Sequence, residues 1–282
     1  MRIVALLSGG LDSTAMCWHL LTRTDYPLHI HHFELDYHTE QNGGHRTGCE
    51  RMAVRNVVAW LRDHCRPFAS SESRVTLQID GFPRHPNDHL WIAFMGFNLL
   101  NKGLGEVLAT GRIATDCNAG GTPRLRSAHA VFRLLSDDPS VREWVPLGAE
   151  GRAEKVRFEW VCPIISWTKA EAMMRVPAEL LGLTVTCRRP RVVEGAIIEC
   201  GECRSCRRKA QARACVEAGM GIDEANDWLC RNPPGNGWPA GPDCYDGYQL
   251  WPMSIERLEE ERRQGSYMFI DGTGGCGCRD MP

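Results

Sequence analysis

The sequence predicts an α/β protein with a doubly wound, mostly parallel five-stranded sheet, followed by a C-terminal cysteine-rich knuckle. Short apolar runs alternate with helical patterns along residues 1–180. The runs lack a regular polar alternation, which is typical of strands in parallel sheets that are covered on both faces. A glycine-rich turn follows the first run, and such folds bind ligands beyond the carboxyl ends of their strands.

The first strand, turn and helix lie at the start of the chain. Residues 3–7 form an apolar run that is typical of a buried strand. The apolar residues from 13 to 21 are spaced as in a helix, with Asp12 or Ser13 as its N-cap. We therefore expect the glycine turn to join a strand to a helix.

The later elements follow the same alternation. We expect four further strands, at residues 28–35, 74–79, 106–110 and 158–164. We expect helices at residues 45–64, 89–100, 127–135 and 168–180, the last bent or shortened by Pro177. The strand ends would then gather the glycine turn, Asp36-Tyr37, the loop from Gly81 and residues 111–116 at one edge.

Composition narrows the class of protein. The 282 residues include 33 Lys plus Arg and 35 Asp plus Glu, for a net charge of −2. This balance gives no global attraction to nucleic acids or membranes, so we expect no direct binding to either. The absence of a long apolar segment and the strand at the start of the chain predict a cytoplasmic protein.

Changes in composition predict three segments. Residues 1–185 form the α/β domain, in which the charged segment 137–157 is a surface insertion. Residues 186–221 form the knuckle and a helix, and residues 222–282 form an extension packed by Trp228, Trp238 and Trp251. No internal repeat is visible.

The turn Ser8-Gly9-Gly10-Leu11-Asp12-Ser13 predicts an anion site. The two glycines permit a tight turn and a close approach of backbone N–H groups to a ligand. The N-terminus of the following helix favours a phosphate, through both its free N–H groups and its dipole. The turn is not a Walker sequence, since no Gly-Lys-Ser/Thr follows. A strand-to-helix turn without a ligand is the alternative interpretation.

The knuckle contains the spacing C-x2-C-x2-C at Cys200, Cys203 and Cys206, with Cys187 thirteen positions upstream. Four thiolates that converge in this way make a closed tetrahedral site, which suits structural Zn²⁺. Redox chemistry fits three evenly spaced cysteines poorly, and an iron–sulfur cluster is the remaining alternative.

Other residues in and beyond the knuckle have simpler interpretations. Cysteines among apolar neighbours, such as Cys17, Cys65 and Cys162, are interpreted as core residues. A basic rim surrounds the four cysteines, and we interpret most of it as offsetting the charge of a metal tetrathiolate rather than as a phosphate or nucleic-acid surface. The rim comprises Arg188, Arg189, Arg191, Arg204, Arg207, Arg208 and Lys209.

The string from Ser8 to Ser13 resembles the signature of the PP-loop ATP pyrophosphatases, which share an adenine nucleotide alpha hydrolase-like fold. Combined with the four cysteines, it resembles the 7-cyano-7-deazaguanine synthase family of queuosine biosynthesis, of which this chain looks like a divergent member. The resemblance covers residues 1 to about 221 and includes Asp36-Tyr37 and Trp167-Thr168-Lys169.

The resemblance implies an enzyme, a ligase that forms carbon–nitrogen bonds with release of AMP and pyrophosphate. Its substrate would be 7-carboxy-7-deazaguanine, adenylated by ATP and converted through an amide to a nitrile. Catalysis is assigned to Asp12, Ser13, Lys169 and Asp116, with Mg²⁺ on Asp12 or Asp116. The implied ATP-binding residues are Leu7, Ser8, Gly9, Gly10, Leu11, Asp12, Ser13, Thr14, Asp36, Gly111 and Lys169.

The sequence departs from the family in the segments expected to face the substrate. His38 to Arg46 replace the family's Gly-Gln-Arg-His, the loop Pro83-Arg84-His85-Pro86-Asn87 differs, and only Asp116 remains of the stretch after the fourth strand. An alternative is therefore the same adenylation chemistry with a protein amine as nucleophile, as in relatives in antiviral defence operons.

Two further alternatives are tRNA thiolation and a non-catalytic zinc module that binds nucleic acid. The intact Ser-Gly-Gly-x-Asp-Ser turn disfavours the second. The expected partners are ATP, the deazaguanine and, under the antiviral alternative, a protein substrate. A homodimer is compatible with the resemblance.

Overall fold

The computed structural model describes residues 1–36, 45–76, 88–113, 121–137 and 158–232. Five strands pair in parallel in the order β3-β2-β1-β4-β5, with helices on both faces. This arrangement confirms the predicted doubly wound α/β fold. The strands are β1 (Ile3–Leu6), β2 (Leu28–Asp36), β3 (Ala69–Thr76), β4 (Val107–Thr110) and β5 (Glu159–Val161).

Helices connect the strands, and a short antiparallel hairpin follows the sheet. The hairpin strands are β6 (Arg191–Val193) and β7 (Ala196–Ile198). The helices are α1 (Leu11–Arg23), α2 (His45–His64), α3 (Asp88–Asn101), α4 (Gly121–Asp137), α5 (Lys169–Arg175), α6 (Ala178–Gly182), α7 (Arg204–Glu217) and α8 (Ile222–Arg231).

Apolar side chains cover the sheet on both faces. On one face, Ile3 and Ala5 pack with residues of α1, α2, α5 and α6 in a single buried cluster. On the other face, Val4 and Leu108 pack with residues of α3 and α4, including Phe132. Because both faces are buried, β1 and most of β4 are apolar, which explains why these two strands showed no polar alternation.

The strand register aligns the carboxyl ends of β1 and β4, whereas β2 continues beyond them to Asp36. Leu6 of β1 pairs with His31 of β2 and with Thr110 of β4. The glycine turn after β1 and Gly111 after β4 therefore lie next to each other at one edge of the sheet. The predicted proximity of the glycine turn and Gly111 is confirmed, while Tyr37, the loop from Gly81 and residues 114–116 lie outside the described residues.

Strand β3 begins at Ala69, five residues before the predicted start. Its first residues, Ala-Ser-Ser-Glu-Ser, resemble a loop in sequence. In the structure Ser71 and Ser73 bond to the buried imidazole of His31, at 2.7 and 2.8 Å. A polar strand is stable here because β3 is at the edge of the sheet.

Other boundaries also differ from the prediction. Gly10 is the N-cap of α1 and no side chain caps that helix, so the expected capping by Asp12 or Ser13 is wrong. Strand β5 covers only residues 159–161 of the predicted 158–164. The helix predicted at 168–180 is interrupted at Pro177, which is the N-cap of α6, as the ring geometry of proline requires.

Several predicted features lie outside the described residues. They are Tyr37, the loop 81–87, Asp116, the insertion at 138–157, and Trp238 and Trp251 of the extension. Among the helices of the described ranges, none is long and apolar enough to cross a membrane.

Candidate functional site

The turn between β1 and α1 leaves no room for a side chain at Gly9. Gly9 has a φ of +75°, which L-residues rarely adopt. A Cβ atom there would lie 3.0 Å from the Cβ of Ala53 and 3.0 Å from the carbonyl oxygen of Glu50. The turn is therefore pressed against α2, and only glycine fits.

Two serines hold the ends of the turn together. The Ser13 hydroxyl accepts from the Ser8 backbone N–H at 3.1 Å and donates to the Gly10 carbonyl at 3.2 Å. The two hydroxyl oxygens of Ser8 and Ser13 are 3.0 Å apart. Ser13 is buried and Ser8 is exposed, so Ser13 shapes the turn while Ser8 presents a hydroxyl to solvent.

Gly111 brings the end of β4 onto the first turn of α1. A Cβ atom at Gly111 would lie 2.4 Å from the Cα of Ser13 and 2.5 Å from its nitrogen. Such distances do not occur between real atoms, so any side chain would push the two backbones apart. The structure thus brings together the predicted site residues Ser13 and Gly111.

Lys169 forms an ion pair with Asp12 beside the turn. Its ammonium group donates to both carboxylate oxygens of Asp12, each at 2.8 Å. The Lys169 side chain is 4% exposed and the Asp12 side chain 18%. A buried ammonium at a helix start is unfavourable alone, and the carboxylate compensates its charge.

The start of α5 is fixed from two sides. Thr168 caps the helix by accepting from the Glu171 N–H at 3.1 Å, and it donates to the Asn226 side chain of α8 at 2.5 Å. Trp167 packs edge-on against His19 of α1, with ring centroids 5.0 Å apart. Lys169 is therefore held by contacts to α1 and α8.

The remaining predicted site residues are either buried or lie partly or wholly outside the described part of the structure. Leu7, Leu11 and Thr14 are buried. Asp36 is the last residue of β2, and its side chain lies outside what is described. Asp116 lies outside the described residues.

The four predicted cysteines converge on one point. The sulfur atoms of Cys187, Cys200, Cys203 and Cys206 all lie within 4.8 Å of one another. The Cys203 and Cys206 sulfurs are 3.5 Å apart, and those of Cys200 and Cys206 are 4.0 Å apart. Four sulfurs at tetrahedral corners about 2.3 Å from one ion would be about 3.8 Å apart, so this set fits a single metal ion.

Backbone N–H groups point at the sulfurs. Cys187 accepts from the N–H groups of Arg189 and Cys200, each at 3.2 Å. Burial by itself would raise the pKa of Cys203, but N–H donors from Arg188 and Cys206, together with hydrogen bonds to the Cys206 and Cys200 thiols, outweigh it and lower the pKa to about 6. Hydrogen bonds to sulfur favour the thiolate, which is the form that binds a metal.

Sequence reasoning missed Glu199, which directly precedes the first cysteine of the triplet. One carboxylate oxygen accepts from the N–H groups of Thr186 and Cys187, at 2.6 and 3.0 Å. The other accepts from the Lys209 ammonium at 2.8 Å. A carboxylate beside anionic sulfurs requires a partner that compensates its charge. This requirement is the feature of the sequence from which the role of Glu199 could have been predicted.

The surroundings of the cysteines agree in part with the predicted rim. Lys209 pairs with Glu199 and so belongs to the interior of the knuckle rather than to its rim. Cys17 and Cys162 are buried, as expected of core residues, whereas Cys65 is only partly buried and packs against the core. The exposed arginines of the rim are Arg188, Arg189, Arg191, Arg204 and Arg207.

No protein-family model matches the chain, and no curated protein matches it. Among solved structures the chain is similar to the U34-tRNA thiolase NcsA from Methanococcus maripaludis with its 4Fe–4S cluster. That similarity has a TM-score of 0.42 and 16% sequence identity, and covers 92% of this chain and 72% of the other. Because the score is low, this similarity carries no conclusion about the substrate or cofactor of the present chain.

Proposed function

We propose that the protein is an ATP pyrophosphatase that adenylates a carboxylate. The observation that carries this proposal is the Asp12–Lys169 pair beside the turn from Ser8 to Ser13. The turn supplies N–H groups and an exposed hydroxyl at the start of α1, where phosphate is favoured. Lys169 adds a fixed positive charge at the same point, without the Gly-Lys-Ser/Thr sequence of kinases and GTPases.

The proposed reaction converts the carboxylate oxygen of the substrate, which is a poor leaving group, into part of AMP, which is a good one. A carboxylate oxygen of the substrate attacks the α-phosphorus of ATP, and the bond between the α- and β-phosphates breaks. Pyrophosphate leaves with the electron pair, and its growing charge is stabilised by Lys169. An amine then attacks the acyl carbon, loses a proton, and displaces AMP. Asp12 keeps the Lys169 ammonium in position throughout.

Mg²⁺ would neutralise charge on the phosphate oxygens when bound. Asp12 fits this role because its carboxylate is partly exposed beside the turn, and Mg²⁺ prefers carboxylate and phosphate oxygens. Asp116 is the second proposed ligand, on the resemblance alone.

For the substrate we propose 7-carboxy-7-deazaguanine, with ammonia as the nucleophile that forms the amide. A second ATP would then adenylate the amide oxygen, which leaves as AMP while the amide nitrogen loses its protons, and a nitrile results. This part rests on the combination of the Ser8–Ser13 string with the four cysteines. The base would lie at the strand ends near Asp36 and Asp116.

For the four cysteines we propose structural Zn²⁺. A four-iron cluster places a separate iron on each cysteine and therefore needs the sulfurs farther apart than one shared ion does. Sulfurs within 4.8 Å of one another favour the single ion. Four protein ligands leave no open position, so the metal would stabilise the knuckle rather than act on substrate.

The reaction class can be tested with ATP labelled at the α-phosphate. We expect labelled AMP and unlabelled pyrophosphate as products. Lys169→Met should lower the rate at least about 100-fold, because the transition-state charge loses its partner. Lys102→Met, which removes an exposed lysine elsewhere, is the matched control. Release of ADP and phosphate by the unaltered protein would refute the class.

The substrate is tested separately, with 7-carboxy-7-deazaguanine, Mg-ATP and ammonium, followed by mass spectrometry of the base. Amide and nitrile support the proposed substrate and nucleophile. Activation of the acid without nitrile favours a protein amine as nucleophile, and a protein that gains the mass of the base would identify it. No stimulation of pyrophosphate release by the acid would refute this substrate under either nucleophile.

A further inference from the structure

A three-residue segment links the cysteine centre to the glycine turn. The N–H of Val185 donates to the Gly9 carbonyl at 2.9 Å. Two residues later, the sulfur of Cys187 is part of the four-cysteine cluster. Only two peptide units therefore separate Cys187 from the residue that bonds to Gly9.

Glu199 fixes the direction of this segment. Its carboxylate binds the N–H groups of Thr186 and Cys187 together, at 2.6 and 3.0 Å. Lys209 of α7 holds the second oxygen at 2.8 Å and so fixes the carboxylate itself. Charge-assisted bonds of this kind are about twice as strong as neutral ones.

Close packing completes the link. Ala53, Val185, Cys187 and Cys206 form one buried apolar cluster. Ala53 is also the residue whose Cβ lies 3.0 Å from the position of a Cβ on Gly9. The turn thus rests on the same residues that surround the cysteines, and it has no space in which to move independently.

We infer that Glu199 is a positioning residue that couples the cysteine centre to the glycine turn, so that the turn adopts its ATP-binding shape only when the centre is assembled. This inference rests on the proposed function for its effect on ATP. The coupling itself is a property of the backbone and can be measured without ATP.

The test compares Glu199→Gln with Glu202→Gln. Both remove one negative charge from the same loop, but Glu202 is exposed and lies between Cys200 and Cys203. The Glu199 carboxylate accepts through one oxygen from the Thr186 and Cys187 N–H groups and through the other from Lys209. In Glu199→Gln the amide nitrogen is a donor, so only one atom of the side chain can accept. Metal content, melting temperature, ATP affinity and hydrogen–deuterium exchange of residues 7–13 are measured on both variants and the unaltered protein.

We expect Glu199→Gln to keep its metal, to exchange faster in residues 7–13, and to bind ATP about tenfold more weakly. Glu202→Gln should match the unaltered protein in all measurements. A lowered melting temperature with unchanged exchange in residues 7–13 would mean that Glu199 only stabilises the knuckle, and would overturn the coupling.

A second variant covers the case in which Glu199→Gln loses its metal. Lys209→Met leaves Glu199 and all four cysteines in place and removes only the bond that fixes the carboxylate. Faster exchange in residues 7–13 would support the coupling, and unchanged exchange would overturn it. If the unaltered protein binds no ATP, the proposed function fails, while the exchange measurements still decide the coupling.

Discussion

Lys169 and Asp12 form a two-pronged ion pair, in which one ammonium donates to both oxygens of one carboxylate at 2.8 Å. Lys169 is almost completely buried, whereas Asp12 keeps contact with solvent. The pair joins the first turn of α1 to the start of α5. When the pair is broken, water can solvate the Asp12 carboxylate much better than the buried Lys169 ammonium. This difference can be measured in the free energy of unfolding.

We predict that Asp12→Asn destabilises the fold more than Lys169→Met does. The first change leaves a buried ammonium without its counter-ion, which costs about 3–5 kcal/mol, and the second leaves a partly solvated carboxylate. The double variant should lose less stability than the sum of the two single variants. Urea denaturation measures all three, and additive losses would show that the two groups do not interact.

We predict about one Zn²⁺ per chain in purified protein. Cys203→Ser should lose the metal and much of the folding free energy, because binding at a structural site contributes directly to stability. Cys65→Ser, which changes a cysteine outside the centre, is the control. Elemental analysis that finds iron, or folded protein without metal, would contradict the assignment.

We predict that Gly111→Ala weakens ATP binding and destabilises the fold by about 2 kcal/mol or more, because the new methyl group overlaps the backbone of Ser13. Gly182→Ala is the control, since a Cβ there has no neighbour within 4 Å. The control should be neutral or slightly stabilising. Equal stability of the two variants in urea would show that β4 and α1 are not in the contact described.

We predict that stability falls as the pH is lowered from 6.5 toward 4. Burial, followed by the nearby charges of His29, His32 and Lys102, lowers the pKa of His31 to about 4 from 6.5. Between these values the unfolded chain binds a proton that the folded chain excludes, so the loss grows down to pH 4 and then levels off. For His31 alone it amounts to roughly 3 kcal/mol at most.

The pH prediction is checked by urea denaturation at several pH values in His31→Gln. The variant should show a shallower fall in stability over this range than the unaltered protein, whatever its stability at neutral pH. His64→Gln, which replaces an exposed histidine in the same way, is the control. An unchanged slope in His31→Gln would refute the role of this histidine.

The sequence predicted those elements whose pattern is determined locally. Helix α2 was predicted at residues 45–64 and is observed at His45–His64, because its apolar residues recur at helical spacing along its length. Strand β3 was misplaced because its polar residues are stable only at the edge of a sheet, beside His31 of β2. That environment is a tertiary property and leaves no pattern within the strand.

The candidate site likewise contains features that could be predicted from local sequence and features that depend on tertiary contacts. The convergence of the four cysteines could be predicted, since three of them are separated from one another by two intervening residues. The pairing of Lys169 with Asp12 could not, because it depends on how α5 meets α1. The contacts of Glu199 with the Thr186 and Cys187 N–H groups likewise require the loop of the knuckle to be closed.

The ion pair also has a consequence for biosynthesis. Lys169 leaves the ribosome 157 residues after Asp12, which at about 5–20 residues per second is a delay of roughly 8–30 seconds. During that time the nascent chain can form β1, α1 and α2, but its aspartate has no ammonium to bind. Asn226, which braces the threonine before Lys169, emerges later still. The proposed nucleotide site is therefore completed only after Lys169 and Asn226 have been synthesised, and chains that end before these residues should lack it.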